Sequence, residues 1–346
     1  MKSQVKNLEL GQEYPPTDEA DAIQNIIKIH VESFLKRNTQ PVQRTEHPKH
    51  HGCVRAEFTI AADVPEPLKV GIFSQPHVFP AWIRFSNSQE QDDQKLDGRG
   101  MAIKLMDVPG QKVFDDEQRT QDFVMINYPL FFIRDLTDYV EFFSALQKAS
   151  FPIRFFIPSL NPLTWRLREL WIAGSTISQN VRNPLLIQYW STTPYKLGDR
   201  AIKFSAKPVT TAAGGLPWGR TENYLRQSMI ESLQGDSGTM FDFLVQVQTD
   251  PVQMQIEDPT RHWASPWIKV ATIRIPPQTF DSEEQMTFCE NLSYTPWHTL
   301  PEHQPLGAIN RARRQTYHTL SDLRHELNHR PPQEPLPEKP WRIEGL

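Results

Sequence analysis

Apolar residues recur along this chain with two periods, and the switches between them mark its elements. From Thr17 onward, Ile23, Ile26, Ile27, Val31, Phe34 and Leu35 form the apolar stripe of a helix; Thr17 is placed to cap it, and Asp18 and Glu19 suit its positive end. His30 falls on that stripe and reads as a packed core histidine. A period of two takes over in Lys203-Phe204-Ser205-Ala206-Lys207 and Phe241-Asp242-Phe243-Leu244-Val245, as half-buried strands require. Strands are expected at 53–61, 81–86, 100–106, 121–126, 201–207, 240–248, 268–275 and 286–292, and further helices at 138–148, 163–173, 221–233 and 308–329. Eight strands with few βαβ spacings predict an α+β fold: an antiparallel eight-stranded sheet closed into a barrel, with helices around it and at its C-terminal end.

Residues 1–16 read as a mobile arm ending in Pro15-Pro16, and 331–346 as a proline-rich extended tail. No Ser- or Gly-rich linker interrupts residues 17–330, so they are expected to form one domain. With 346 residues, 38% of them hydrophobic, the chain can bury a sizeable core, which excludes general disorder. A net charge of −4 lacks the basic excess of a nucleic-acid binder, and no apolar run approaches the length of a membrane span. Lys6, Glu9 and Glu13 stand where a secretory apolar segment would lie, so a cytoplasmic protein is expected. Cys53 and Cys289 are too few for a disulfide framework or a thiolate metal site, and read as buried small hydrophobes.

Five polar clusters stand out. Arg44, His47, Lys49, His50 and His51 precede the first strand; they read as a solvated basic turn, and their spacing gives little support to zinc. In Trp82–Asn87, Arg84 and Ser86 share one strand face, and an arginine there implies a buried carboxylate or phosphate. Asp97–Leu105 carries G-x-G without the third glycine and helix of a dinucleotide site. Asn127 stands among bulky apolar groups, either as a strand-end cap or as a directed hydrogen-bond donor. On the last helix Arg313 lies one turn before Tyr317, and Arg324 two turns beyond it. These form either a salt-bridged exposed face or a phenol made a usable phenolate by a neighbouring cation and a ferric iron.

Taken in order, the clusters resemble the haem catalase superfamily over roughly residues 40–330, and within it the short catalase-like proteins related to coral-type allene oxide synthases. The matching runs are R-x-x-H-x-K at Arg44–Lys49, IRFSN at Ile83–Asn87, DGRGMAIKL, INYPLFFIRD at Ile126–Asp135, and R-x-x-x-Y followed seven residues later by Arg324. The resemblance implies haem b, with Tyr317 as the iron's axial ligand and Arg313 holding it as phenolate. It implies His47 as distal base, Asn127 donating to the bound peroxide, Ser86 close to His47, and Arg44, Arg84 and Arg324 facing the propionates. The expected partner is a small-molecule hydroperoxide, and the family's habit implies a homo-oligomer, dimer or tetramer.

The chain also departs from the pattern. Glu46 precedes His47 where efficient catalases have valine and the coral-type enzyme threonine, and His50 and His51 replace family glycines. A shorter rim is expected to admit bulkier hydroperoxides, such as those of fatty acids. The possible outcomes are hydrogen peroxide disproportionation, peroxidase turnover with an organic reductant, and rearrangement of a fatty-acid hydroperoxide to an allene oxide. A barrel that binds haem or lipid without turnover is the reading from a different class.

Overall fold

The computed structural model describes residues 8–36, 41–148, 152–211, 216 and 219–336. The first apolar stripe forms α1 (Glu19–Lys36), which starts two residues after the expected Thr17 cap. Four long strands follow: β1 (His50–Ile60), β2 (Val78–Asn87), β3 (Arg99–Leu105) and β4 (Gln121–Ile126). A helical excursion comes next, with α2 (Leu136–Leu146), α3 (Ile153–Phe156) and α4 (Leu167–Ile177). The chain returns through β5 (Tyr189–Trp190), β6 (Tyr195–Leu197) and β7 (Arg200–Pro208), then α5 (Tyr224–Leu233), β8 (Thr239–Val247), β9 (Trp267–Ile275), α6 (Glu283–Asn291) and α7 (Ala308–Leu327).

All the strands join one antiparallel sheet, ordered β5-β4-β3-β2-β1-β9-β8-β7-β6. Pairing of Tyr189 and Trp190 with Ala206 and Ser205 on β7 closes eight of them into a barrel, with β6 appended to β7. Side chains fill the barrel. Phe58, Phe123, Phe204 and Phe243 meet with ring centroids 4.9–5.9 Å apart, so the interior is core rather than a ligand chamber. The chemistry therefore has to lie outside the wall, under the helices.

Strand alternation decides which residues face outward. Ile83 and Phe85 enter the core, whereas Arg84 and Ser86 point to the helical side and are buried there by other elements. Ser86, Gly100, Ile126 and Trp190 lie opposite one another on four successive strands and form one row; Arg84, Ala102 and Val124 form the next.

Two sequence expectations are corrected. Residues 286–291 of the strand expected at 286–292 are helical, because Ser282 and Gln285 form a reciprocal capping box that starts α6. The strand that closes the barrel is instead β5, too short to show a period. Cys53 and Cys289 are buried as expected but joined in a disulfide between β1 and α6, with Cα atoms 5.3 Å apart. Of the arm expected at 1–16, residues 8–16 are described and bonded to the body. Gly11 N–H donates to Gln248 Oε1 at 2.8 Å, Tyr14 N–H donates to Glu257 Oε1 at 3.0 Å, and Glu13 pairs with Arg311. Residues 1–7 and 337–346 of the expected arm and tail lie outside the described residues.

A buried ion network ties β3 and β4 to the segment before α7. Lys104 Nζ lies 2.8 Å from Asp122 Oδ1, also pairs with Glu117, and sits 3.3 Å from His298 Nδ1. Burial works against the charge on His298, but Glu117, Asp116 and Asp122 overcome it and raise its pKa to about 9. Removing the ammonium would leave two buried carboxylates facing each other. Lys104→Met should lower the unfolding free energy by about 3–5 kcal/mol, measurable by denaturant titration; a loss below about 1 kcal/mol would show that the carboxylates find other partners.

Candidate functional site

The turn before β1 is not solvated. Thr45, Lys49 and His51 are buried, because acceptors wait for them in the fold: Lys49 Nζ meets Asp93 Oδ1 at 2.7 Å, and His51 Nε2 lies 3.1 Å from Asn87 Oδ1. The same turn forces His47 into the left-handed backbone region at φ 57°, which is disfavoured for any residue with a Cβ. Three hydrogen bonds hold it there. Its N–H donates to Ser88 O at 2.8 Å, its carbonyl accepts from Arg84 Nη2 at 2.8 Å, and its Nδ1 lies 3.0 Å from Ser86 Oγ.

The imidazole packs against the backbone of β3 at Gly100. A Cβ added there would fall 2.6 Å from His47 Nδ1, 2.7 Å from Cε1 and 2.8 Å from Ser86 Oγ. Glycine is required here by close approach rather than by its own torsion angles. Burial, then the positive charge of Arg84, lowers the His47 pKa to about 4, so the ring is neutral and able to accept a proton at ordinary pH.

Beneath His47 three arginines gather around α6. Arg44 Nη1 meets Glu290 Oε1 at 2.9 Å, and its other Nη donates to Leu292 O. Arg324 Nη1 donates to Glu290 O at 2.7 Å, and His50 Nε2 lies 3.6 Å from Glu290 Oε2. Arg84 is buried, and its Nε has no hydrogen-bond partner among the described residues. Burial and repulsion from Arg44 lower the pKa of both Arg84 and Arg324 to about 9. A guanidinium does not give up its proton in such surroundings, so the shift expresses first the burial of the charge and then the repulsion from Arg44, which Glu290 opposes. The cluster suits the carboxylates of an incoming ligand.

On α7, Arg313 Nη1 reaches Asn310 Oδ1 at 3.2 Å and Thr193 Oγ1 at 3.3 Å, and its guanidinium lies over the Phe131 ring at 5.2 Å. Tyr317 is half-buried one turn further on. The two share a field with residues from three other elements. The Arg313 charge adds to the lowering of His47, and Arg313 and Tyr317 both act on Tyr139 and Tyr195, whose phenols burial pushes up, Tyr195 to about 12. Between these groups the wall is apolar and half-exposed at Ala102, Val124, Ile126 and Phe131.

The fold thus brings His47 and Ser86 together, sets Arg44, Arg84 and Arg324 in one cluster, and places Arg313 within the field of His47. Asn127 belongs to the neighbouring polar row. Its Oδ1 accepts from Arg99 N–H at 2.8 Å and its Nδ2 donates to Thr176 O at 3.2 Å, so the amide bridges the backbones of β3 and α4. Sequence reasoning missed Gly100, Glu290 and Asn310. A glycine inside the strand pattern of DGRGMAIKL was the available signal for the first; Glu290 was hidden by the mistaken strand. One grouping with metal-like spacing occurs among the described residues, Glu117, Asp122 and His298, and the Lys104 ammonium already pairs with both of its carboxylates.

Over residues 21–151 the chain matches the family model described as catalase. No curated protein matches it by sequence. Catalase A from Saccharomyces cerevisiae superposes with a TM-score of 0.65 at 17% identity, covering 94% of this chain and 70% of that one. A fungal catalase gives a TM-score of 0.63 at 16% identity, covering 95% and 68%. These similarities establish the fold.

The Gly100 contact can be tested alone. Gly100→Ala should break the His47–Ser86 hydrogen bond by pushing the ring off the strand, and lower stability by about 1–3 kcal/mol through overpacking. A crystal structure of the variant and its thermal unfolding would report both. An unmoved imidazole with unchanged stability would contradict the contact.

Proposed function

We propose that this chain, a member of the haem catalase superfamily by its barrel fold and by the family match over residues 21–151, is a haem-dependent enzyme that cleaves the O–O bond of hydroperoxides. The observation that carries the reading is the posture of His47: a neutral imidazole in a disfavoured backbone conformation, fixed at its N–H, carbonyl and Nδ1 beside a cluster of three arginines.

The residues present fit haem b. Arg44, Arg84 and Arg324 would hold its propionates, Ala102, Val124, Ile126 and Phe131 would face its ring, and Tyr317 would ligate the iron as a phenolate steadied by Arg313. When bound, the ferric haem supplies the redox chemistry of O–O cleavage. The polypeptide manages the proton. With Nδ1–H donated to Ser86 Oγ, His47 keeps the Nε2 lone pair to take the hydroperoxide proton and return it to the departing oxygen. Asn127, whose Nδ2 carries a second hydrogen beside the one donated to Thr176 O, would offer it to the bound hydroperoxide. The apolar wall favours an organic hydroperoxide over hydrogen peroxide. Products separate the outcomes: oxygen for disproportionation, an oxidised reductant for peroxidase turnover, an allene oxide or its ketol for rearrangement.

With the haem-loaded protein, His47→Ala should slow consumption of an organic hydroperoxide by about 10²–10⁴-fold while haem content stays constant. A change of less than about threefold would instead favour a binding barrel without turnover. Because the neutral ring is the active form, protonation at low pH switches it off. The acid limb of the wild-type rate should therefore lie below the usual histidine value of 6.5, toward about 4. A limb at or above 6.5 would show that His47 is not the base.

A further inference from the structure

The excursion between α2 and β5 leaves large apolar side chains in water. Leu160 and Leu163 are 99% and 93% exposed, Leu167 and Trp171 on α4 are 56% and 62% exposed, and Ile153 on α3 joins them. Single exposed leucines are ordinary, but a run of them on one projecting segment marks an interaction site. The projection is a built conformation. Ser159 Oγ and Thr164 Oγ1 lie 2.9 Å apart, Asn161 Oδ1 accepts from Leu163 N–H at 3.1 Å, and Trp165 Nε1 donates to Ser159 O at 2.8 Å. Pro158 and Pro162 flank the exposed Leu160 on this closed turn.

Charge indicates what the tip meets. The chain as a whole carries −4, yet from Lys148 to Trp171 the sequence holds Lys148, Arg154, Arg166 and Arg168 against one acid, Glu169, which is buried; Arg166 is paired with Asp138 and Glu141 on α2. Lys148, Arg154 and Arg168 are exposed on the same excursion as the leucines. Exposed apolar side chains in a segment that also exposes cations suit a surface that yields to protruding side chains and presents phosphates, which is the interface of an anionic bilayer. We propose that this tip docks the protein peripherally on anionic lipid membranes. Spanning is a separate matter: no helix among the described residues is long and apolar enough to cross one.

The tip is also rigidly joined to the site. α4 extends about 16 Å from Leu167, at 1.5 Å per residue, to the turn where Thr176 O accepts from Asn127 Nδ2 at 3.2 Å and Gln179 Nε2 donates to Asn127 O at 2.8 Å. The Trp171 ring meets Tyr128 edge-on at 6.2 Å. Docking would therefore bring the element that holds Asn127, next to the Ile126 end of the His47 row, to the bilayer, where lipid hydroperoxides form. That last consequence rests on the hydroperoxide reading; the docking does not.

The test is flotation of the full-length protein with vesicles of phosphatidylcholine alone and of phosphatidylcholine mixed with phosphatidylglycerol. Binding is expected to the mixed vesicles, with release at high salt. Both Leu160→Ser/Leu163→Ser and Arg154→Glu/Arg168→Glu should weaken it about tenfold or more, with unchanged circular dichroism. Failure of the wild type to float with anionic vesicles, or equal flotation by both variants, would overturn the proposal. If the wild type does not float and sedimentation shows the leucine variant converting a dimer to a monomer, the tip faces a second copy of the chain and the lipid assignment is wrong.

Discussion

His47 stands where a residue with a Cβ pays in backbone strain, and the surroundings over-determine its position. Its N–H, carbonyl and ring are each held, and its imidazole lies where β3 offers bare backbone at Gly100. The rest of the site follows from that placement. Ser86 must share the row with Gly100 to reach Nδ1, so the register of β2 on β3 is part of the chemistry. Arg84, two residues before Ser86 on the same strand face, supports the His47 carbonyl, and its positive charge adds to burial in keeping the ring neutral.

That same arginine links the base to the anion-seeking cluster. A filled barrel leaves no room inside for a ligand, so polar groups on its outer wall are buried only because helices cover them. α6 brings Glu290 to Arg44 and Arg324, and the disulfide from Cys289 to Cys53 anchors that helix to β1 next to the cluster. α7 brings Arg324 to that cluster and Arg313 into the field of His47, so the wall and the two helices set these groups together on the outside of the barrel.

How much of this was legible in the sequence depends on the range of the interaction involved. Long strands with inward apolar residues, such as 240–248 and 268–275, announced themselves, because alternation is a local property. The two-residue β5 did not, although it closes the barrel. α6 was mistaken for a strand because Met286, Phe288 and Leu292 alternate, while the capping box that decides the matter lies just upstream. The histidine-rich turn appeared solvated because Asp93 and Asn87, which bury Lys49 and His51, arrive from β2 and the loop after it. The motif resemblance named His47, Ser86 and the arginines. Only coordinates showed that Asn127 is engaged by backbone and that Gly100 is the surface on which the base rests.

The most direct measurement is the absorption and resonance Raman spectrum of the protein reconstituted with haem, beside Tyr317→Phe. A haem pocket with a phenolate ligand predicts stoichiometric binding, a high-spin ferric spectrum with tyrosinate bands, and loss of those bands in the variant. Failure to bind haem stoichiometrically, or identical spectra for the two proteins, would contradict it.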